Sequence, residues 1–307
     1  MFDNALIETK QGVENDLAAL TDLTSGPSNL YALLDACDES SVVQKINSLE
    51  KSQAASLYQG SAARDFYAIA PYVVAADQAF VDWIANNMLG RPWGYFLETD
   101  PLVTLPKIRS HLRRFMMAKG PGDKDLYFRF YDPRVVTIFL KSFSSETVSR
   151  FWGPIQSILL FDEDSQLVRL SPPETVSPSL DRSRFTVTES DLQNYVRHRD
   201  QGFRQRLKSH LTDFLQSHGQ NVNQEQLDSQ IIVGLERAKR YLLTKQSDIA
   251  RYLELICFHV RSFEERGDPL PVQNILFDRR IKITERLDRL EDWAKQHSAV
   301  ASVGETE

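Results

Sequence analysis

Six cationic side chains are gathered in one short stretch of this chain: Lys107, Arg109, Arg113 and Arg114, then Arg129 and Arg134 on either side of Asp132. A guanidinium presents a planar fork of N–H donors, so this concentration has the residue types to hold an anion. Two kinds of chemistry fit it. An arginine laid against apolar neighbours needs an anionic partner, and an internal Arg129–Asp132–Arg134 network that fixes a corner of the fold would supply one. The alternative is a phosphate- or nucleotide-handling protein using Arg109, Arg113, Arg129 and Arg134 with Asp132. Against it stands the lack of a glycine-rich backbone cradle of the kind that encloses phosphates.

Other reactive constellations are missing from the sequence. There is no G-x-x-x-x-G-K-[ST], G-x-G-x-x-G or G-x-S-x-G, so neither a nucleotide loop nor a hydrolase elbow is expected. The histidines are His111, His198, His210, His218, His259 and His297, without an H-E-x-x-H or an i, i+4 ligand pair. His198, His210 and His218 read as solvated side chains of a polar helix, and His259, close to Cys257, as packing on an apolar one. The acidic run FDEDSQ at 161–166 reads as a turn and lacks the loop pattern of an EF-hand. No catalytic residue, metal or cofactor is expected.

The bulk properties are those of an ordinary soluble two-domain protein. It has 307 residues, 42% hydrophobic and 25% charged, enough for two ordinary globular domains. The formal net charge is −6, which argues against nucleic acid as a partner. Cys37 and Cys257 are too few for a disulfide scaffold and suit a reducing cytoplasm. The N-terminus lacks the charged and apolar regions of a secretory signal, and no apolar run is long enough for a membrane helix. A cytoplasmic protein without a membrane partner is the expectation.

The cationic stretch is positioned by an aromatic strand. In DLYFRFYDPR (125–134), Tyr127, Arg129 and Tyr131 alternate with Phe128 and Phe130, the period of a half-buried strand. Asp132 is a good N-cap and Pro133 suits the first turn, so VVTIFLKSF is predicted to continue as a helix and Asp132, Pro133 and Arg134 to form a structural corner. Upstream, FMMAK, GPGDK and DLYFRF predict a hairpin. Leu105, Ile108 and Leu112 mark a helix with Lys107, Arg109 and Arg113 toward solvent. WGYFLETD (93–100) and NLYALLDA (29–36) read as strands, and Pro71 in AIAPYVVAA restricts that run to a short edge strand. Helices are expected over 3–20, through Val42, Val43, Ile46 and Leu49, through Phe80, Trp83, Ile84 and Met88, and at 133–142 and 145–151. SILLFD and QLVRL read as closing strands. The class is α+β, a mixed sheet with helices packed on it.

SPPETVSPSLDRSR marks a domain boundary, which divides the chain into an α+β domain at 1–170, a linker at 171–187, a helical bundle at 188–298 and a tail at 299–307. Thr188 and Asp191 imitate a capping box. Helical stripes follow through Leu207, Leu211, Phe214 and Leu215, through Leu227, Ile231, Leu235, Ala238 and Leu242, and through Ile249, Leu253, Ile256, Val260 and Phe263. Pro269 and Pro271 then interrupt the pattern before a last helix through Ile283, Leu287, Leu290 and Trp293.

FRFYDPR (128–134), with HLRRF (111–115) and RPWGYFLET (91–99) before it, resembles the signature of the type VI secretion adaptor family, the effector chaperones. NLYALLDA, SLYQG (56–60), IAPYVV (69–74) and FWGPI (151–155) fall in the same order, and ERAKRYLLTKQSDIARYLEL is similar to the family's helical extension. There Leu242 stands where a glycine often follows the tyrosine. The resemblance implies a non-catalytic adaptor that binds and stabilises one effector and loads it onto the VgrG spike. Trp93, Tyr95, Tyr127 and Tyr131, on one less-covered face with Arg113 and Arg129 around them, would have the composition of an interface hot spot. A structural subunit that stays with the secretion particle is a third reading.

Overall fold

The computed structural model describes residues 7–10, 20, 24, 26, 28–37, 39–91, 93–162, 166–173, 184–258 and 269–301. Two compact units divide between His198 and Arg199. The first is built on strands β1 (Ile7–Lys10), β2 (Asn29–Asp35), β3 (Ala54–Ser56), β4 (Pro71–Ala75), β5 (Gly94–Thr99), β8 (Ile155–Phe161) and β9 (Leu167–Ser171). They form one seven-stranded sheet in the order β1-β9-β8-β5-β2-β4-β3. All its described ladders are antiparallel, where a mixed sheet was expected. The α+β class itself is what the structure has.

Side chains alternate across the sheet and feed two cores. Tyr31, Leu33, Val73, Tyr95, Leu97, Ile158 and Leu160 enter one, and Leu30, Ala32, Leu34, Tyr72, Val74, Phe96 and Leu159 the other. Burial on both faces is why β2 reads as a continuous apolar run. The first core is covered by α4 (Leu105–Arg113), α5 (Pro133–Ser142) and α6 (Ser145–Trp152), through Ile108, Leu112, Val136, Phe139, Phe151 and Trp152. The second is covered by α1 (Ser40–Ser48) and α3 (Gln78–Asn87), through Val42, Phe80, Val81 and Ile84. Each such large apolar side chain contributes about 1.5–3 kcal/mol by leaving water. Asp77 starts α3 by accepting a bond from the Phe80 N–H. Between β3 and β4, the short α2 (Gly60–Asp65) buries none of its residues.

Gly94 opens β5 with φ +136°, and a Cβ there would lie 1.9 Å from the Leu33 carbonyl oxygen. Only glycine lets the two central strands approach this closely.

Two expectations are corrected in this sheet. Within the stretch 3–20, residues Ile7–Lys10 pair with Val168–Ser171 as an outer strand, so sheet pairing overrides the helical reading; residues 3–6 and 11–19 lie outside the described residues. The IAPYVV strand is interior, between β2 and β3. Pro71 is tolerated because it is the first residue of β4, where its missing N–H breaks no ladder.

The expected hairpin is present as β6 (Met117–Lys119) and β7 (Asp125–Tyr127), a separate two-stranded sheet. The strand character of 125–131 stops at Tyr127, and Phe128 to Tyr131 run as irregular chain and turn into the corner.

The polar cap at Thr188 and Asp191 forms as a reciprocal pair, with Thr188 N donating to Asp191 Oδ2 at 2.9 Å and Asp191 N to Thr188 Oγ1 at 3.1 Å. It starts α7 (Glu189–Ser217), and the division between units falls inside this helix. Phe185 and Val187, assigned above to the linker, are buried in the first unit's core. Residues 174–183 of that stretch and 302–307 of the expected tail lie outside the described residues, while 299–301, read above as tail, belong to the last helix, Ile283–Ala301.

The second unit contains the rest of α7 with α8 (Gln224–Arg240), α9 (Gln246–Phe258), α10 (Leu270–Phe277) and α11 (Ile283–Ala301). Leu207, Leu211, Leu227, Ile231, Leu253, Ile256, Leu287 and Leu290 form its core. Val260 and Phe263 lie outside the described residues. The helix α10 was missed because Pro269 and Pro271 read as breaks. They occupy its cap and first turn, where no intrahelical N–H donor is needed.

Leu242 is not part of the α8 stripe. It follows the helix with φ +60° and is 51% exposed. Leu243 N donates to Ala238 O at 3.0 Å and Leu242 N to Lys239 O at 3.1 Å, the two bonds of a Schellman ending.

Candidate partner-binding site

The corner after β7 forms as its sequence dictates. Asp132 accepts from the Arg134 N–H at 2.9 Å and so caps α5, Pro133 fills the first helical position, and the same carboxylate takes the Arg134 guanidinium on both oxygens at 2.9 and 2.7 Å. Arg129 does not join them. Its Nη2 donates to Asp35 Oδ2 at 2.6 Å, at the end of β2. The expected Arg–Asp–Arg network is therefore two separate pairs. Burial would lower the Arg129 pKa, but the hydrogen bond and charge of Asp35 outweigh it and raise the value. The other Asp35 oxygen accepts from Cys37 N at 3.0 Å, which holds the carboxylate in place.

The aromatic residues separate by depth. Trp93 is buried in the second core, edge-on to Phe96, and Tyr95 is buried in the first, where its hydroxyl donates to Phe130 O at 2.8 Å. They lie on opposite sides of the sheet, so the expected shared face of Trp93, Tyr95, Tyr127 and Tyr131 does not exist. Consecutive strand residues point to opposite faces, and position 95 was read together with 93 although the strand starts only at Gly94.

Tyr127 is 46% exposed and Tyr131 is buried, yet their hydroxyls meet at 2.9 Å. Tyr58, just after β3, brings its hydroxyl within 2.8 Å of Tyr127. Burial, and then the bonds to Tyr131 and Tyr58, raise the Tyr127 pKa; burial first raises that of Tyr131 to about 12. The Tyr127 and Tyr131 hydroxyls stay protonated. The Arg129 guanidinium carbon lies 5.8 Å from the centre of the Tyr131 ring, which joins the ion pair to this tyrosine chain.

The helix α4 supplies the remaining cations. Arg109 donates from Nε to Ser56 O at 2.7 Å and from Nη2 to Tyr58 O at 3.3 Å, and Arg113 donates from Nε to Leu57 O at 3.0 Å. Both are half-buried against β3, a correction to their expected solvent-facing placement; Lys107 is exposed. The four arginines of the phosphate reading thus have different partners: a carboxylate each for Arg129 and Arg134, backbone carbonyls for Arg109 and Arg113.

On the buried side of α4, His111 Nε2 is 2.7 Å from Phe151 O and Nδ1 is 2.6 Å from Arg114 Nη2. Arg114 can only donate, so Nδ1 is the acceptor and Nε2 carries the proton. Burial lowers the His111 pKa to about 4, against the raising effect of the Phe151 carbonyl.

Asp35 and Tyr58 are the residues that sequence reasoning missed. The one charged residue ending an otherwise apolar strand was a usable signal for Asp35. Tyr58 stands in the quoted SLYQG, but nothing local pointed to its contact with a partner 69 positions away.

Among the described residues, no three His, Cys, Asp or Glu side chains group as a metal site, and no helix is long and apolar enough to cross a membrane. No curated protein and no solved structure matches the chain. Residues 30–150, from the second residue of β2 to α6 and including the corner, the tyrosine chain and the α4 arginines, match the family DUF4123, a domain of unknown function.

Proposed function

We propose that this chain is a non-catalytic adaptor that binds one type VI secretion effector, stabilises it and brings it to the VgrG spike. The observation that carries this reading is the family match at 30–150, which coincides with the stretch where FRFYDPR, HLRRF and RPWGYFLET resemble the effector chaperones. The surface supports it. Phe66, Tyr67, Ala68 and Ile69 are consecutive and all exposed, and Met117 and Tyr127 are exposed cross-strand neighbours. Clustered aromatic, methionine and arginine side chains are the composition of protein interfaces. Binding acts by mass action: a partner held in its folded or loading-competent form is stabilised by an amount that grows with the logarithm of the chain's concentration over its Kd. No step of the reading involves a reaction, and the compartment is the cytoplasm.

Recovery of the tagged chain from cells lacking the spike tests it. The expected result is one co-purifying effector in stoichiometric amount. Recovery of no effector, or of the chain only with assembled secretion particles, refutes it.

A further inference from the structure

Tyr58 joins two groups of side chains that lie far apart in the sequence. Its hydroxyl meets Tyr127, which leads to Tyr131, and its carbonyl accepts from Arg109. The result is one surface carrying Arg109, Arg113, Tyr58, Tyr127 and the exposed Met117.

Among the described residues, its charge is uncompensated. Arg129 and Arg134 are answered by Asp35 and Asp132, but Arg109 and Arg113 have no carboxylate partner among the described residues. Their only hydrogen bonds there are to the carbonyls of Ser56, Leu57 and Tyr58, which do not neutralise a cation. Burial and then the neighbouring Arg109 charge lower the Arg113 pKa, as expected of two like charges held close together. Donors also remain. A guanidinium carries five N–H groups, and Arg113 uses only Nε, while Arg109 uses Nε and Nη2. Three tyrosine hydroxyls carry three protons and two contacts consume two of them, so one O–H is left to donate.

We propose that this surface binds an acidic segment of the partner protein, with carboxylates taken by Arg109 and Arg113 and the adjoining chain packed on Tyr58, Tyr127 and Met117. That the ligand is a protein rests on the adaptor reading; that it is acidic rests on Arg109 and Arg113, which have no carboxylate partner among the described residues. A nucleic acid fits less well. The exposed Met117 and Tyr127 offer apolar contact to side-chain stems that a phosphate backbone lacks.

The test is calorimetric titration of the full chain with poly-L-glutamate at low and physiological salt, with single-stranded DNA and inorganic phosphate as parallel probes. Saturable, salt-sensitive binding of polyglutamate is expected. It should weaken about tenfold or more in the R109Q/R113Q double variant, since two charged donors are lost. Ser110→Glu, an exposed change that places a competing carboxylate on the same helix, should weaken it as well without touching the bonds to β3. Arg204→Gln, in the second unit, should leave it unchanged, and circular dichroism checks that each variant is folded. A flat polyglutamate titration, equal binding by all variants, or saturation by DNA or phosphate alone overturns the proposal. Variant-sensitive polyglutamate binding by a chain that recovers no effector would sustain this site and refute the adaptor reading. Effector recovery unaffected by Ser110→Glu and by R109Q/R113Q would do the reverse.

Discussion

Leu242 offers the sharpest test of the backbone argument. It has φ +60° at the end of α8, in a Schellman ending where glycine is usual and where an L side chain is strained. Replacing it by glycine relieves about 1–2 kcal/mol of left-handed strain. The same change also loses side-chain burial, because Leu242 is 51% exposed and so half covered, and it frees the unfolded chain. The clean comparison is therefore Leu242→Ala against Leu242→Gly, in which the lost side chain is nearly common to both. At ordinary helix positions alanine is more stable than glycine by about 0.5–1 kcal/mol. At position 242 the order should invert, with glycine ahead by about 1 kcal/mol. For a unit of this size that corresponds to about 4 °C or more in Tm. Urea and thermal unfolding followed by far-UV circular dichroism measure it, with Ala and Gly at exposed Ser229 in the middle of α8 as the control pair. If glycine is less stable than alanine at both positions, Leu242 is not held in the left-handed region and the account of the helix ending is wrong.

Three further outcomes are expected. The folded-state pKa of His111, about 4, lies below the ordinary 6.5, so its contribution is complete above pH 6.5 and lost as pH falls toward 4, a span worth about 3 kcal/mol. Urea unfolding across that range should show this loss in the native chain but not in His111→Gln, and parallel pH profiles would refute it. Gly94→Ala puts a Cβ against the Leu33 carbonyl oxygen and should cost more than about 2 kcal/mol or prevent folding; native-like unfolding midpoints would contradict the close approach. Asp132→Ala removes the α5 cap and the partner of the largely exposed Arg134, and should cost about 1–2 kcal/mol in denaturant titration, with a change of a few tenths counting against the corner.

The sequence made legible what is local. The Asp132–Pro133 start of α5, the Thr188/Asp191 cap and the stripes of α3, α8 and α11 all follow from residues within one or two turns of one another. The losses came where a distant partner decides. Arg129 chose Asp35, 94 positions away, over Asp132, three positions away, whose two oxygens are taken by the Arg134 N–H and guanidinium. Ile7–Lys10 became a strand because β9 is there to pair with it. Trp93 and Tyr95 were placed on a surface because composition alone does not tell a sheet with two covered faces from one with a single covered face. The α10 helix was lost to a local rule applied at the wrong position, since proline ends a helix only from its interior.

The last strand of the sheet has a consequence for how two copies of this protein can meet. Acceptors at the exit of β3 are occupied by three guanidinium bonds from α4. A foreign strand zipping onto that border would have to strip those bonds away and strand two half-buried cations. That border of the sheet thus resists the strand addition from which fibres nucleate.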